Sequence, residues 1–160
     1  SNDILKIIDV DLTEEEYVFV CKKGNSSLVQ DMNSFMSDIK NSGEFDTLVA
    51  KYFEGTGEKI GYPISTDDVD NTEVHLILVT NCPFEPFEYI GDDGKIYGLD
   101  IEIAAAYASA NNLELVIKNT EVNGYEINDE GISTGTTLWA NKSPMLQDKL
   151  NVVVDGVDVY

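Results

Sequence analysis

Residues Val74 to Lys118 read VHLILVTNCPFEPFEYIGDDGKIYGLDIEIAAAYASANNLELVIK, and this stretch decides the fold. Val74 to Thr80 is apolar except at His75 and Thr80, the composition of a strand buried on both faces. Asn81 to Glu88 follows as a loop stiffened by Pro83 and Pro86. Tyr89-Ile90 and Ile96-Tyr97 flank GDDGK, so two short extended pieces are expected to turn back at Asp93-Gly94. Leu99 to Ala110 predicts an alanine-rich helix ended by Asn111-Asn112, and Leu113 to Lys118 a further strand. Strand, helix and strand in that order form a βαβ unit, because a parallel pair needs a crossover between its members.

Working outward toward the N-terminus, Tyr17 to Lys22 (YVFVCK) has the pattern of a central strand. Lys23-Gly24-Asn25 ends it, and Asn25, Ser26 and Ser27 are candidate N-caps for a helix. In that helix Leu28, Met32, Phe35, Met36 and Ile39 recur at spacings of three and four, which makes one apolar stripe. Gly43 is the expected stop. A second short helix is expected to bury Phe45, Leu48, Val49, Tyr52 and Phe53, an aromatic stripe read as core. From Glu54 to Glu73 the composition shifts to Gly, Thr, Ser, Asp and Asn around Pro63, the signature of a linker.

Toward the C-terminus, Asn119 to Thr137 is polar and shows no clear periodicity. Pro144 restricts any helix in Leu138 to Lys149 to its later half. Asn151 to Asp155 (NVVVD) reads as a fourth strand. The alternation from Val74 onward indicates an α/β domain with a mainly parallel sheet.

The chain of 160 residues, 42% hydrophobic, suffices for one compact domain, and no run of about 18 apolar residues suggests a membrane span. Ser1-Asn2 without Met reads as a scar or an excised segment and stays outside the fold reading. Thirty acidic against 10 basic residues give a net charge of -20. Such a polyanion repels phosphate backbones and anionic headgroups, which argues against nucleic acid and direct membrane binding. It suits solubility in an extracytoplasmic setting. Asp67, Asp68, Asp70 and Asn71 lack the glycine and distal glutamate of a calcium loop and read as solvated linker. Cys21 and Cys82 are too few and too far apart for a disulfide scaffold or zinc site, so partly buried thiols are expected. His75, the only histidine, has no nucleophile beside it in sequence and is given a structural role. With no nucleophile–base pair, metal cluster or phosphate loop in view, neither an enzyme nor a cofactor is expected.

Pro86-Phe87-Glu88-Tyr89, the Asp93-Gly94-Lys95 turn, Gly98-Leu99-Asp100, the alanine-rich helix and the Leu-Glu-Leu strand occur in order over about forty residues. Together they resemble the first third of the family 3 extracellular solute-binding proteins of polar amino-acid ABC transporters. Leu146 to Tyr160 (LQDKLNVVVDGVDVY) looks like that family's next helix and strand, running to a hinge glycine at Gly156. Leu5 to Phe53 is similar to the family's C-terminal end, through its returning strand, its Lys-Gly-Asn turn, the step at Gly43 to Asp46 and the final helix ending in an aromatic. The resemblance implies a single three-layer lobe of a type II periplasmic-binding-protein fold in circularly permuted order. A C-terminal-type segment (3–54) would precede a linker (55–73) and an N-terminal-type segment (74–160). The implied sheet has four to five strands, mostly parallel, with Tyr17–Lys22 as the antiparallel member. A domain-swapped homodimer is the structural competitor.

The same resemblance implies a ligand site. Phe84 matches the aromatic that packs on the ligand, and Asn81 and Cys82 match neighbouring polar positions. Open α/β sheets place ligands at the carboxyl ends of their strands, where this loop would lie. Beyond Gly156, Asp158 and Tyr160 occupy the hinge-side ligand positions. No arginine follows to bind a carboxylate, and Asp158 would repel one, so either the ligand is a cation or amine or the module no longer binds amino acids. The expected function is non-covalent solute capture outside the cytoplasm, with an ABC permease as partner. The alternatives are a tandem sensor ectodomain on a membrane kinase or cyclase, or a degenerate lobe without ligand.

Overall fold

The computed structural model describes residues 18–21, 26–66, 74–80, 82–119 and 137–141. In chain order its elements are β1 (Val18–Cys21), α1 (Ser26–Ser42), α2 (Glu44–Phe53), β2 (His75–Thr80), β3 (Tyr89–Ile90), β4 (Ile96–Tyr97), α3 (Leu99–Ala110), β5 (Glu114–Asn119) and β6 (Thr137–Asn141). The chain is an α/β protein. Its main sheet has the order β1-β6-β2-β5, and β3 and β4 form a separate two-stranded sheet.

In the main sheet β2 runs parallel to both β5 and β6, while β1 is antiparallel to β6. The β2–β5 register pairs His75 with Glu114 and Thr80 with Asn119, so both strands end level. The apolar run of β2 explains its central place: Leu76 to Thr80 are all buried. Leu76 and Leu78, with Ile117 and Phe19, join the core that α1, α2 and α3 pack into, whereas Ile77, Val79 and Val116 form a second, smaller cluster. Alternation along one strand thus feeds two clusters.

The helices follow the expected stripes. Leu28, Met32, Met36 and Ile39 of α1 are buried and Phe35 is half-buried, its ring meeting Tyr107 of α3 edge-on at 5.5 Å. Gly43, at φ +84°, takes the left-handed conformation that ends α1 and lets α2 begin at the next residue. Leu99 to Ala104 of α3 are buried on every side, as befits a helix apolar nearly all round. Asn112, at φ +53°, turns the chain from α3 into β5.

Several expectations are corrected. Phe53, expected on the buried side of α2, is 56% exposed. It is the last residue of the helix, so no further turn covers it. A strand stands at Thr137–Asn141, where the sequence suggested no strand and Pro144 allowed only a later helix. The short run Thr-Leu-Trp-Ala-Asn is too brief for its period to distinguish strand from helix, and pairing with β1 and β2 decides. The helix expected late in Leu138–Lys149 and the strand at Asn151–Asp155 lie outside the described residues, as do Asp67, Asp68, Asp70 and Asn71.

Part of the expected linker after α2 is bonded to the domain. Tyr62 exchanges two backbone hydrogen bonds with Ile96 of β4, each 2.9 Å. Ile64 bridges Ile117 of β5, and the Ser65 N–H donates to the Ile117 carbonyl at 2.7 Å. These residues strap the β3–β4 sheet to the edge of the main sheet.

Candidate functional site

The parallel strands β2, β5 and β6 end at Thr80, Asn119 and Asn141 on one edge of the sheet. The chain passes from β2 to β5 on one side and then to β6 on the other, so the strand order reverses beside β2. Open α/β sheets form a crevice at such a reversal.

The loop leaving β2 is fixed there by backbone bonds. The Cys82 N–H donates to Asn119 Oδ1 at 3.0 Å, fastening the loop to the end of β5. Phe84 and Glu88 close a turn: the Phe84 N–H donates to the Glu88 carbonyl at 2.7 Å, and the Phe87 and Glu88 N–H groups donate to the Phe84 carbonyl. The peptide bonds before Pro83 and Pro86 are both cis. At its far end the loop caps α3, because the Pro86 and Phe87 carbonyls accept from the Leu99 and Asp100 N–H groups at 3.0 Å each. The first N–H groups of a helix have no intrahelical partner, so this satisfies loop carbonyls and helix donors at once.

On this turn the Phe84 ring is 40% exposed and stacks on buried Phe87 at 5.5 Å, with 22° between the planes. Phe53 meets the same Phe87 edge-on at 5.9 Å. The result is an exposed aromatic ring, held at the carboxyl end of the central strand, able to stack on a flat or cationic group. Cys82 is half-buried beside it. Of the other sequence-predicted site residues, Asn81, Asp158 and Tyr160 lie outside the described residues. The structure therefore brings Cys82 and Phe84 together. It adds Asn119, which no sequence signal singled out, and Phe53, which the sequence marked only as core.

A second polar cluster lies between α2 and α3. Glu102, 4% exposed, accepts from Lys51 Nζ at 2.6 Å and from the Tyr52 hydroxyl, and the Ile60 N–H points to the same carboxylate at 3.5 Å. Burial first, and then the hydrogen bond to Glu102, push the Tyr52 phenol well above its ordinary 10.0. A carboxylate in an apolar helix needs such partners, and Leu-Asp-Ile-Glu-Ile was the signal that could have found the cluster.

The GDDGK turn carries the third. The Gly94 N–H donates to the Gly91 carbonyl at 2.9 Å, and Gly94 sits at φ +78°. Asp93 accepts from the Tyr97 hydroxyl at 2.7 Å and from the Lys95 N–H at 3.0 Å. These bonds, the phenol's first, hold the Asp93 carboxyl below its ordinary 3.8. The sign follows: the turn gains from ionised Asp93 above the unfolded value and loses that gain as pH falls through the lower folded one. An NMR pH titration of the Lys95 amide should give a midpoint below 3.8, and Tyr97→Phe should move the midpoint upward. A midpoint unmoved by that substitution would remove the phenol as the cause.

Among the described residues no group of His, Cys, Asp and Glu is arranged to hold a metal ion, and no helix is long and apolar enough to cross a membrane. Compared with models of protein families, with curated proteins and with solved structures, the chain matches none of them.

Proposed function

We propose that this chain is lobe 1 of a type II periplasmic-binding-protein fold, its segments joined in permuted order, and that it captures a small polar solute for an amino-acid type ABC importer outside the cytoplasm. The observation that carries the reading is the exposed Phe84 ring on a bonded turn beyond the carboxyl end of β2, next to the strand-order reversal. The antiparallel β1 supports the permuted order, because it comes from the segment that resembles the family's end. So does the Lys51–Glu102 ion pair, which joins the two segments inside one core. In this mechanism the solute stacks on Phe84, Cys82 and Asn119 border it, and closure of an opposing lobe excludes water. No bond is made or broken.

The test is an NMR titration of the chain with free amino acids and with the matching amines that lack a carboxylate. One lobe supplies half of a cleft, so affinities in the millimolar range, about -4 kcal/mol, are expected, with amines ahead. The shifts should centre on Cys82 to Phe87 and Asn119. Phe84→Ala should weaken binding about fivefold while costing about 1 kcal/mol of stability, the usual worth of one aromatic contact. Micromolar affinity for glutamine or glutamate would mean a complete carboxylate site and overturn the preference for amines. Shifts that ignore Phe84→Ala would overturn the site.

A further inference from the structure

A shallow groove of about 320 Å³ runs beside the β3–β4 turn, lined by Lys59, Tyr89, Gly91, Asp92, Asp93 and Tyr97, none of which belongs to the Cys82–Phe87 turn. Its volume lies at the small end for ligand sites, of order 300 Å³. Two stacked rings, Tyr89 and Tyr97, 5.8 Å apart and 16° from parallel, give it an apolar wall. A Cβ on Gly61 or on Gly91 would overlap the Tyr97 ring, so the ring lies flush against both backbones. Its hydroxyl donates to Asp93, which also takes the Lys95 N–H. Lys59 lines the groove too, but its ammonium sits over the Tyr52 ring, 5.3 Å from the centroid, where a π face already engages its charge. Asp92 and Asp93, both exposed residues, line the groove of a chain whose net charge of -20 draws cations from solvent.

We propose that this groove binds a small organic monocation with a planar guanidinium or amidinium head, its flat face against the Tyr89 ring and its N–H donors on Asp92, with Asp93 adding negative charge. A planar fork suits this wall better than an ammonium, because it can stack on a ring and donate two parallel hydrogen bonds to a carboxylate at once. The site is separate from the Phe84 turn and takes a different part of a ligand's chemistry, so either can fail without the other.

The experiment is an amide-shift NMR titration of the full chain with N-acetyl-arginine amide, which has the guanidinium and lacks both the α-ammonium and the carboxylate. Saturable shifts are expected at Tyr89, Gly91, Asp92 and Tyr97. Asp92→Asn, at an exposed turn position, should weaken binding about fivefold, and N-acetyl-lysine amide should bind about threefold more weakly than the arginine probe. Phe84→Ala should leave the titration unchanged. Absence of saturation, equal binding by Asp92→Asn, or loss of binding in Phe84→Ala would each overturn the proposal. Saturation by an oligo-arginine peptide alone would overturn it in favour of a protein partner.

Discussion

Gly98→Ala should cost about 3–5 kcal/mol of stability, the range of the severest single substitutions. Gly98 immediately precedes α3, at φ +142° and ψ 166°, a region open to glycine and closed to residues with a side chain. The conformation is only half of the penalty. A Cβ there would run into the carbonyl of Phe87 and the Cα of Glu88, backbone atoms that cannot step aside. That carbonyl is also a cap of α3, so relief of the overlap would loosen the helix start and the Phe84 turn together. Urea denaturation of the variant checks this, with Gly94→Ala as the comparison. Gly94 has a positive φ of +78° but open space around it, so its cost should stay near the conformational part alone, about 1–2 kcal/mol. Equal losses at the two glycines would mean that the close approach to Phe87 carries no energy.

The second large effect belongs to Glu102. Glu102→Ala should cost about 3 kcal/mol, because Lys51 is left largely buried with its partner removed, and the Tyr52 hydroxyl and Ile60 N–H lose an acceptor. The side chain of Lys51 keeps 13% exposure, so water tempers the loss and holds it at the low end of the range for buried pairs. The double substitution Lys51→Met with Glu102→Leu should recover the part due to the charge, since apolar residues of similar volume fill the space without a charge to bury, while the Tyr52 hydroxyl and Ile60 N–H still lack their acceptor. Denaturant unfolding of Lys51→Met, Glu102→Leu and the double closes the cycle. A double variant as unstable as Glu102→Ala would mean that packing, not charge, sets the cost. Tyr52 adds a pH dependence of definite sign. Its phenol is held protonated in the folded state, so its contribution is whole below the ordinary 10.0 and is lost as pH rises beyond it.

The elements that were legible in the sequence are those whose period speaks for itself. The stripe from Leu28 to Ile39, the alanine-rich run of α3, the apolar β2 and the turn at Asp93-Gly94 each depend on contacts near in sequence or on one buried face. β6 was not legible, because five residues beside a polar stretch carry no period, and the strand exists through its neighbours β1 and β2. Phe53 misled for a related reason: it falls on the apolar stripe of α2, but the helix ends there and leaves it 56% exposed, its ring edge-on to Phe87. At the candidate site Phe84 could be named from the loop's prolines and its place after a strand. Asn119 could not, since its link to the Cys82 backbone joins residues 37 apart in the chain. Glu102 stood in plain view within an apolar helix, yet Lys51 and Tyr52 are brought to it only by the packing of α2 on α3.

The strap from Tyr62 to Ser65 has a further meaning for how freely this chain can vary. Its grip on β4 and β5 is made by main-chain atoms, the N–H groups of Tyr62 and Ser65 among them. Pro63 stands between those donors, at a position from which no hydrogen bond is asked. The main-chain bonds specify donors and acceptors, while the side chains of Tyr62 and Ile64 pack against the core. The strap is thus fixed twice, by bonds that ask only for a free N–H at two positions and by two apolar side chains that the core selects.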